Sequence, residues 1–126
     1  MEVPVNAISW IEIPVTDFAR AKKFYSTIYN YEMPEMPMGP VNMGILPYQQ
    51  GNGVGGAICF GEGYEPTDKG AKVYLNGEPD LNIVLNRVEA AGGKVVLAKT
   101  DIGEGFGFFA VFHDTEGNWI GLHSMG

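Results

Sequence analysis

The chain has 126 residues, 45% of them hydrophobic. That is enough to bury a core without disulfide staples, as one compact domain or as two half-size units sharing a core. Fifteen acidic against eight basic residues give a formal charge of −7. Such a surface repels phosphate backbones and anionic lipid, so nucleic acid and membrane are not expected partners.

The opening Met1-Glu2-Val3-Pro4 is acidic and has no apolar h-region, and no later apolar run approaches a membrane span. Ile8 to Val15 is rich in β-branched and aromatic residues and reads as a strand. Asp17 is placed to cap a helix by accepting from free backbone N–H groups. Ala21, Phe24, Tyr25 and Ile28 then follow at i, i+3, i+4 and i+7, one apolar stripe of a helix ending near Asn30. Met33, Met36, Met38 and Met43 are interleaved with Pro34, Pro37 and Pro40. This segment reads either as an adaptable lid or as irregular core packing. Val41 to Tyr48 and Val54 to Phe60 are apolar strand candidates around the turn signal Gln49-Gln50-Gly51-Asn52-Gly53. The glycines at 51, 53, 55 and 56 are followed by no Lys-Ser/Thr and no helix pattern, so a hairpin is favoured over a phosphate loop. Cys59 has no partner for an internal disulfide, which suits a reducing cytoplasm. It lies in an apolar run with no base placed to activate it, and reads as a buried inert thiol.

Gly61 to Gly70 is polar and aperiodic, and is the natural junction between halves. Lys72 to Leu75 reads as a strand. Pro79-Asp80 then opens a second helix with the stripe Leu81, Val84, Leu85 and Val88, ended by Gly92-Gly93. Lys94 to Leu97 reads as a further strand. Phe106 to His113 and Asn118 to His123 flank Asp114-Thr115-Glu116-Gly117 as a hairpin, with Gly117 where a left-handed residue is needed. If Asp114 pairs with Asn118, then His113 faces Trp119, Val111 faces Gly121, and Phe109 faces His123. The order strand, helix, three strands thus occurs twice, with helix-opening aspartates 63 positions apart. The expected fold is α+β, with module one at about 5–60 and module two at about 71–125.

Three segments give the chain a family resemblance. They are Trp10-Ile11-Glu12-Ile13-Pro14-Val15-Thr16-Asp17 with Ala21, Phe24 and Tyr25; Ala90-Ala91-Gly92-Gly93; and Asp114-Thr115-Glu116-Gly117-Asn118 with its following strand. Together and in this order the chain resembles the vicinal oxygen chelate superfamily of glyoxalases, bleomycin-resistance proteins and extradiol dioxygenases. The Trp-x-Glu start is most similar to the bacterial branch related to lactoylglutathione lyase. The resemblance implies two tandem βαβββ modules forming a half-open curved sheet around a central cavity, and a homodimer.

Metal-dependent members hold a divalent cation with His, Glu and Gln side chains from the first and last strands of each module. Those positions carry over to Trp10, Val73, Ile58 and Gly121, none of which ligates a cation through its side chain. His113 and His123 share a face, but four strand positions separate them, roughly 13 Å at about 3.3 Å each. One ion cannot bridge that gap. The expectation is therefore no metal and no cofactor.

The same inference places Trp10, Glu12, Ile58, Phe60, Val73, Leu75, Trp119, Gly121 and His123 around the cavity. This apolar, aromatic lining suits a flat or greasy ligand. Glu12 in an apolar strand reads as a general base, as an anchor for a cationic or hydroxylated ligand, or as a carboxylate bonded to a neighbouring Tyr or Trp. His123 reads as its acid–base partner or as a residue at a dimer seam. His113, beside Asp114, reads as a turn-flanking residue. The first functional expectation is a cytoplasmic, metal-independent protein binding a small aromatic or hydrophobic molecule. The alternative is a metal-independent lyase or isomerase acting on a small oxygenated metabolite through Glu12 and His123. A metal-dependent lactoylglutathione lyase or dioxygenase ranks below both, and an interaction domain with a vestigial cavity is a further reading.

Overall fold

A computed structural model describes residues 2–126. The first half runs β1 (Trp10–Pro14), α1 (Phe18–Tyr29), β2 (Glu35–Met38), β3 (Val41–Ile45) and β4 (Gly55–Phe60). The second runs β5 (Val73–Asn76), α2 (Asn82–Leu85), β6 (Lys94–Asp101), β7 (Phe108–His113) and β8 (Trp119–Ser124). They build two four-stranded sheets of order β1-β4-β3-β2 and β5-β8-β7-β6. In each, the first strand lies parallel beside the last and the remaining pairings are antiparallel. The α+β reading with a doubled βαβββ order holds.

Helix α1 forms as its sequence requires. Asp17 accepts from the Arg20 N–H at 3.1 Å, and Asn30 ends the helix in the left-handed region at φ 51°. Its stripe of Ala21, Phe24, Tyr25 and Ile28 is buried in one core with Ile13, Val15, Leu81, Val88, Phe112 and Leu122. Burying a side chain such as Phe24 or Ile28 contributes about 1.5–3 kcal/mol. Because that core draws on both halves, neither sheet has a complete core alone.

Polar contacts lock the halves together. The Tyr25 hydroxyl donates to Asp114 Oδ2 at 2.7 Å, and Asn118 Nδ2 donates to the Pro14 carbonyl at 2.8 Å. Glu116 Oε1 accepts from the backbone N–H groups of Thr16 and Asp17 at 2.9 and 2.8 Å. Arg20 Nε donates to its other oxygen at 2.7 Å. The β7–β8 turn of one half therefore caps the helix of the other. These donors hold the Glu116 carboxyl down at about 2 against the opposing effect of burial.

Two elements differ from expectation. Glu35–Met38 is an exposed edge strand, neither lid nor core; only Met33 of that group is buried in the core, while Met43 is half-buried in β3. The second helix contracts to Asn82–Leu85, flanked by turns that mix i+3 and i+4 bonding. Ile83, Val84, Asn86 and Val88 are weak helix formers, so burial of Leu81, Val84, Leu85 and Val88 sustains the segment rather than propensity. No helix among the described residues is long and apolar enough to cross a membrane.

Candidate functional site

Strand alternation divides each sheet into a core face and an open face. In β1, Ile11 and Ile13 meet the core, while Trp10 and Glu12 stand on the open face. The parallel register sets Trp10 beside Gly55 and Glu12 beside Ala57. In the second sheet, Tyr74 lies beside Gly121 and Asn76 beside His123. The β7–β8 hairpin has the expected register, with His113 against Trp119, Val111 against Gly121 and Phe109 against His123.

Two glycines let aromatic rings lie on the sheets. A Cβ built on Gly55 would sit 2.3 Å from the Tyr48 ring, and one on Gly121 would sit 2.5 Å from the Tyr74 ring. Tyr48 meets Trp10 edge-on, with ring centroids 6.1 Å apart, and Tyr74 meets Trp119 in the same way at 5.5 Å. Lys72 Nζ lies 4.5 Å above the Trp119 ring, a cation–aromatic contact.

The two sheets approach along the edges of β1 and β5, leaving two clefts that meet at Val73. The larger, of about 370 Å³, is lined by Ile11, Tyr48, Gly55, Lys72, Tyr74 and Leu75 among others. The smaller, of about 220 Å³, is lined by Glu12, Pro14, Thr67, Lys69, Asn118 and Trp119 among others.

Beside the smaller cleft, Tyr64 donates to Glu12 Oε1 at 2.8 Å and the Trp10 indole N–H reaches Oε2 at 3.4 Å. The hydrogen bond to Glu12 is the chief reason the Tyr64 phenol is pushed up to about 12. Cys59 is buried nearby, its thiol pushed up to about 12 first by burial and then by the Glu12 charge. His123 is tied elsewhere, with Nε2 2.7 Å from the Phe106 carbonyl oxygen, to which it donates. No hydrogen bond links Glu12 to His123 among the described residues.

Of the expected site residues, Trp10, Glu12, Trp119, Gly121 and His123 lie on the open faces. Ile58 and Phe60 do not. Ile58 is fully buried against Met33 and Gly44, and Phe60 shares its face at the strand's end; Ala57 and Cys59 take the opposite face instead, where they are buried in a small second cluster with Ile45. Val73 and Leu75 also alternate onto the core face, beside Ile120 and Leu122, yet both line the larger cleft and Val73 lines the smaller one too, whereas Trp10, Gly121 and His123 line neither. Tyr74 and Asn76 replace them on the open face. The cause is one residue: β1 ends three positions before Asp17, whereas β5 ends four before Asp80. A one-residue slip flips every side chain of a strand.

The donors present do not fit the divalent cation implied by the resemblance. With the register corrected, Gly55, Ala57, Tyr74 and Gly121 occupy the open face, and none offers an imidazole or carboxylate. Glu12 is a lone carboxylate there. No three His, Cys, Asp or Glu side chains come together to hold an ion among the described residues.

Sequence reasoning missed Tyr48, Tyr64 and Lys72, which come from loops. Tyr74 was recoverable only from the β5–β8 register.

A family model described as Glyoxalase/Bleomycin resistance protein/Dioxygenase superfamily matches residues 7–122. A glyoxylase-like domain-containing protein from Didymella fabae is 37% identical over 118 residues, covering 88% of each chain. A glyoxalase/bleomycin resistance protein from Streptomyces sp. CB03234 superposes with a TM-score of 0.66 at 20% identity, over 91% of this chain and 97% of its own. TnmS3, an antibiotic-binding protein from the same organism, superposes with a TM-score of 0.60 at 18% identity, over 98% of both chains. The repeated topology, the Asp114-to-Asn118 turn and these matches agree with the resemblance read from the sequence. The chain belongs to the Glyoxalase/Bleomycin resistance protein/Dioxygenase superfamily.

Proposed function

We propose that this protein binds a small, largely apolar aromatic molecule in the cleft between its sheets, and does so without a metal ion. The observation that carries this reading is the pair of aromatic contacts seated on Gly55 and Gly121 beside a 370 Å³ cleft. That volume falls within the range of about 300–1,000 Å³ typical of small-molecule sites. Rings lying on a glycine floor bury a flat ligand by stacking, and Lys72 and Asn76 supply the few polar groups that orient it. Kinship in fold with an antibiotic-binding protein supports the same reading.

The protein acts as a cytoplasmic homodimer in this account. Exposed Met36 and Met38 on β2 and Val96 and Leu97 on β6 offer apolar area to a second copy, and a single buried thiol suits a reducing compartment. Acid–base catalysis by Glu12 and His123 is less well supported, because each is engaged by other groups.

Fluorescence tests the reading. Of the two tryptophans, Trp119 lines the smaller cleft and Trp10 contacts Tyr48 of the larger one. Aromatic ligands titrated in the presence of a chelator should quench this emission saturably, and Tyr74→Ala should weaken binding. Binding that appears only after a divalent ion is added would overturn the metal-free reading.

A further inference from the structure

We infer that Glu12, framed by Trp10 and Tyr64, is a subsite for the ammonium group of a cationic aromatic ligand. The inference rests on the cleft being a ligand site, and it adds the ligand's charge. Three observations support it. First, Glu12 is exposed and lines the smaller cleft, yet no lysine, arginine or histidine lies within 4.0 Å of it among the described residues. The cleft's own cation, Lys69, is paired with Asp68 at 3.4 Å.

Second, its two neutral neighbours each donate one hydrogen bond to a different carboxylate oxygen. They fix the group's orientation and leave lone pairs on both oxygens for a third donor. Third, the surroundings are aromatic. Trp10, 38% exposed, abuts Tyr48, and Tyr64 packs on the cluster of Ile45, Ala57 and Cys59. Trp10 and Tyr64 turn their N–H and O–H edges to the carboxylate, a full positive charge gains more from it than a hydroxyl does, and the net charge of −7 attracts cations at range.

Benzylammonium, benzyl alcohol and benzoate test the assignment, read by the NMR shift of the Trp10 indole N–H. The cation should bind about tenfold more tightly than the alcohol, and benzoate most weakly. Glu12→Gln should remove that advantage and leave benzyl alcohol unchanged. Tyr64→Phe frees an acceptor site on Glu12 and should retain or strengthen cation binding. Should Glu12→Gln fail to fold, raising the salt on wild-type protein must weaken the cation and not the alcohol. If the alcohol binds as well as the cation, the subsite is refuted and the cleft reading stands. If no probe shifts either indole, the cleft reading fails with it.

Discussion

Gly121→Ala separates the ligand face from the core because the two kinds of glycine meet different obstacles. A Cβ at Gly121 would lie 2.5, 2.7 and 2.9 Å from Cδ2, Cε2 and Cγ of Tyr74, so the ring must leave its place. Tyr74 is 53% exposed and can swing outward. Gly121 is not in the left-handed region, so alanine adds no backbone strain there. The overpacking cost then sits at the low end of its range, about 1 kcal/mol. Reduced chain entropy in the unfolded state offsets about 0.4–1 kcal/mol of that. Stability should therefore change by less than about 1 kcal/mol. The Tyr74–Trp119 contact is lost, however, and with it about 0.5–1.5 kcal/mol of aromatic interaction available to organise a ligand. Affinity for an aromatic ligand should fall roughly three- to tenfold. Gly56→Ala is the contrast, since its Cβ would meet the Ile11 carbonyl oxygen at 2.5 Å and Ile11 side-chain carbons at 2.6 Å on the core face. Backbone cannot step aside, so this variant should lose at least about 2–3 kcal/mol. Urea unfolding paired with ligand titration reads both quantities. Equal destabilisation of the two variants, or undiminished affinity in Gly121→Ala, would refute the assignment of Tyr74 to a ligand face.

Glu116 should govern acid stability. Its folded value, about 2, lies below its ordinary 4.5, so its contribution is complete above pH 4.5 and is lost as pH falls towards 2. Glu116→Gln should cost about 2 kcal/mol at pH 7 and flatten the fall in stability between those values; an unchanged acid limb would contradict the cap. Tyr25→Phe should cost about 1–3 kcal/mol, measured by urea denaturation, because the buried Asp114 carboxylate loses its donor from α1. Cys59, buried with its thiol near 12, should resist iodoacetamide at pH 8 in the folded protein and react once urea unfolds it; rapid native labelling would contradict its placement.

Local patterns made most elements legible in the sequence. The α1 stripe, its Asp17 and Asn30 ends and the β7–β8 register depend on nearby residues, and each formed as read. What stayed hidden depends on distant ones. The face of β5 turns on a single extra residue before Asp80, and the face of β4 on how it meets β1. Trp10, Glu12, Trp119, Gly121 and His123 therefore lie on one face, whereas Ile58, Phe60, Val73 and Leu75 alternate onto the other. The edge strand Glu35–Met38 was obscured because Met and Pro mask the strand pattern. Glu12 was ambiguous until Tyr64, 52 positions away, proved to be its partner.

The most direct measurement follows both indole N–H resonances of chelator-treated protein while a neutral aromatic such as benzyl alcohol is added. Saturable shifts of Trp10 and Trp119 at one probe per chain are the predicted result. Resonances that stay fixed throughout, or move only once a divalent cation is supplied, would contradict a metal-free aromatic cleft.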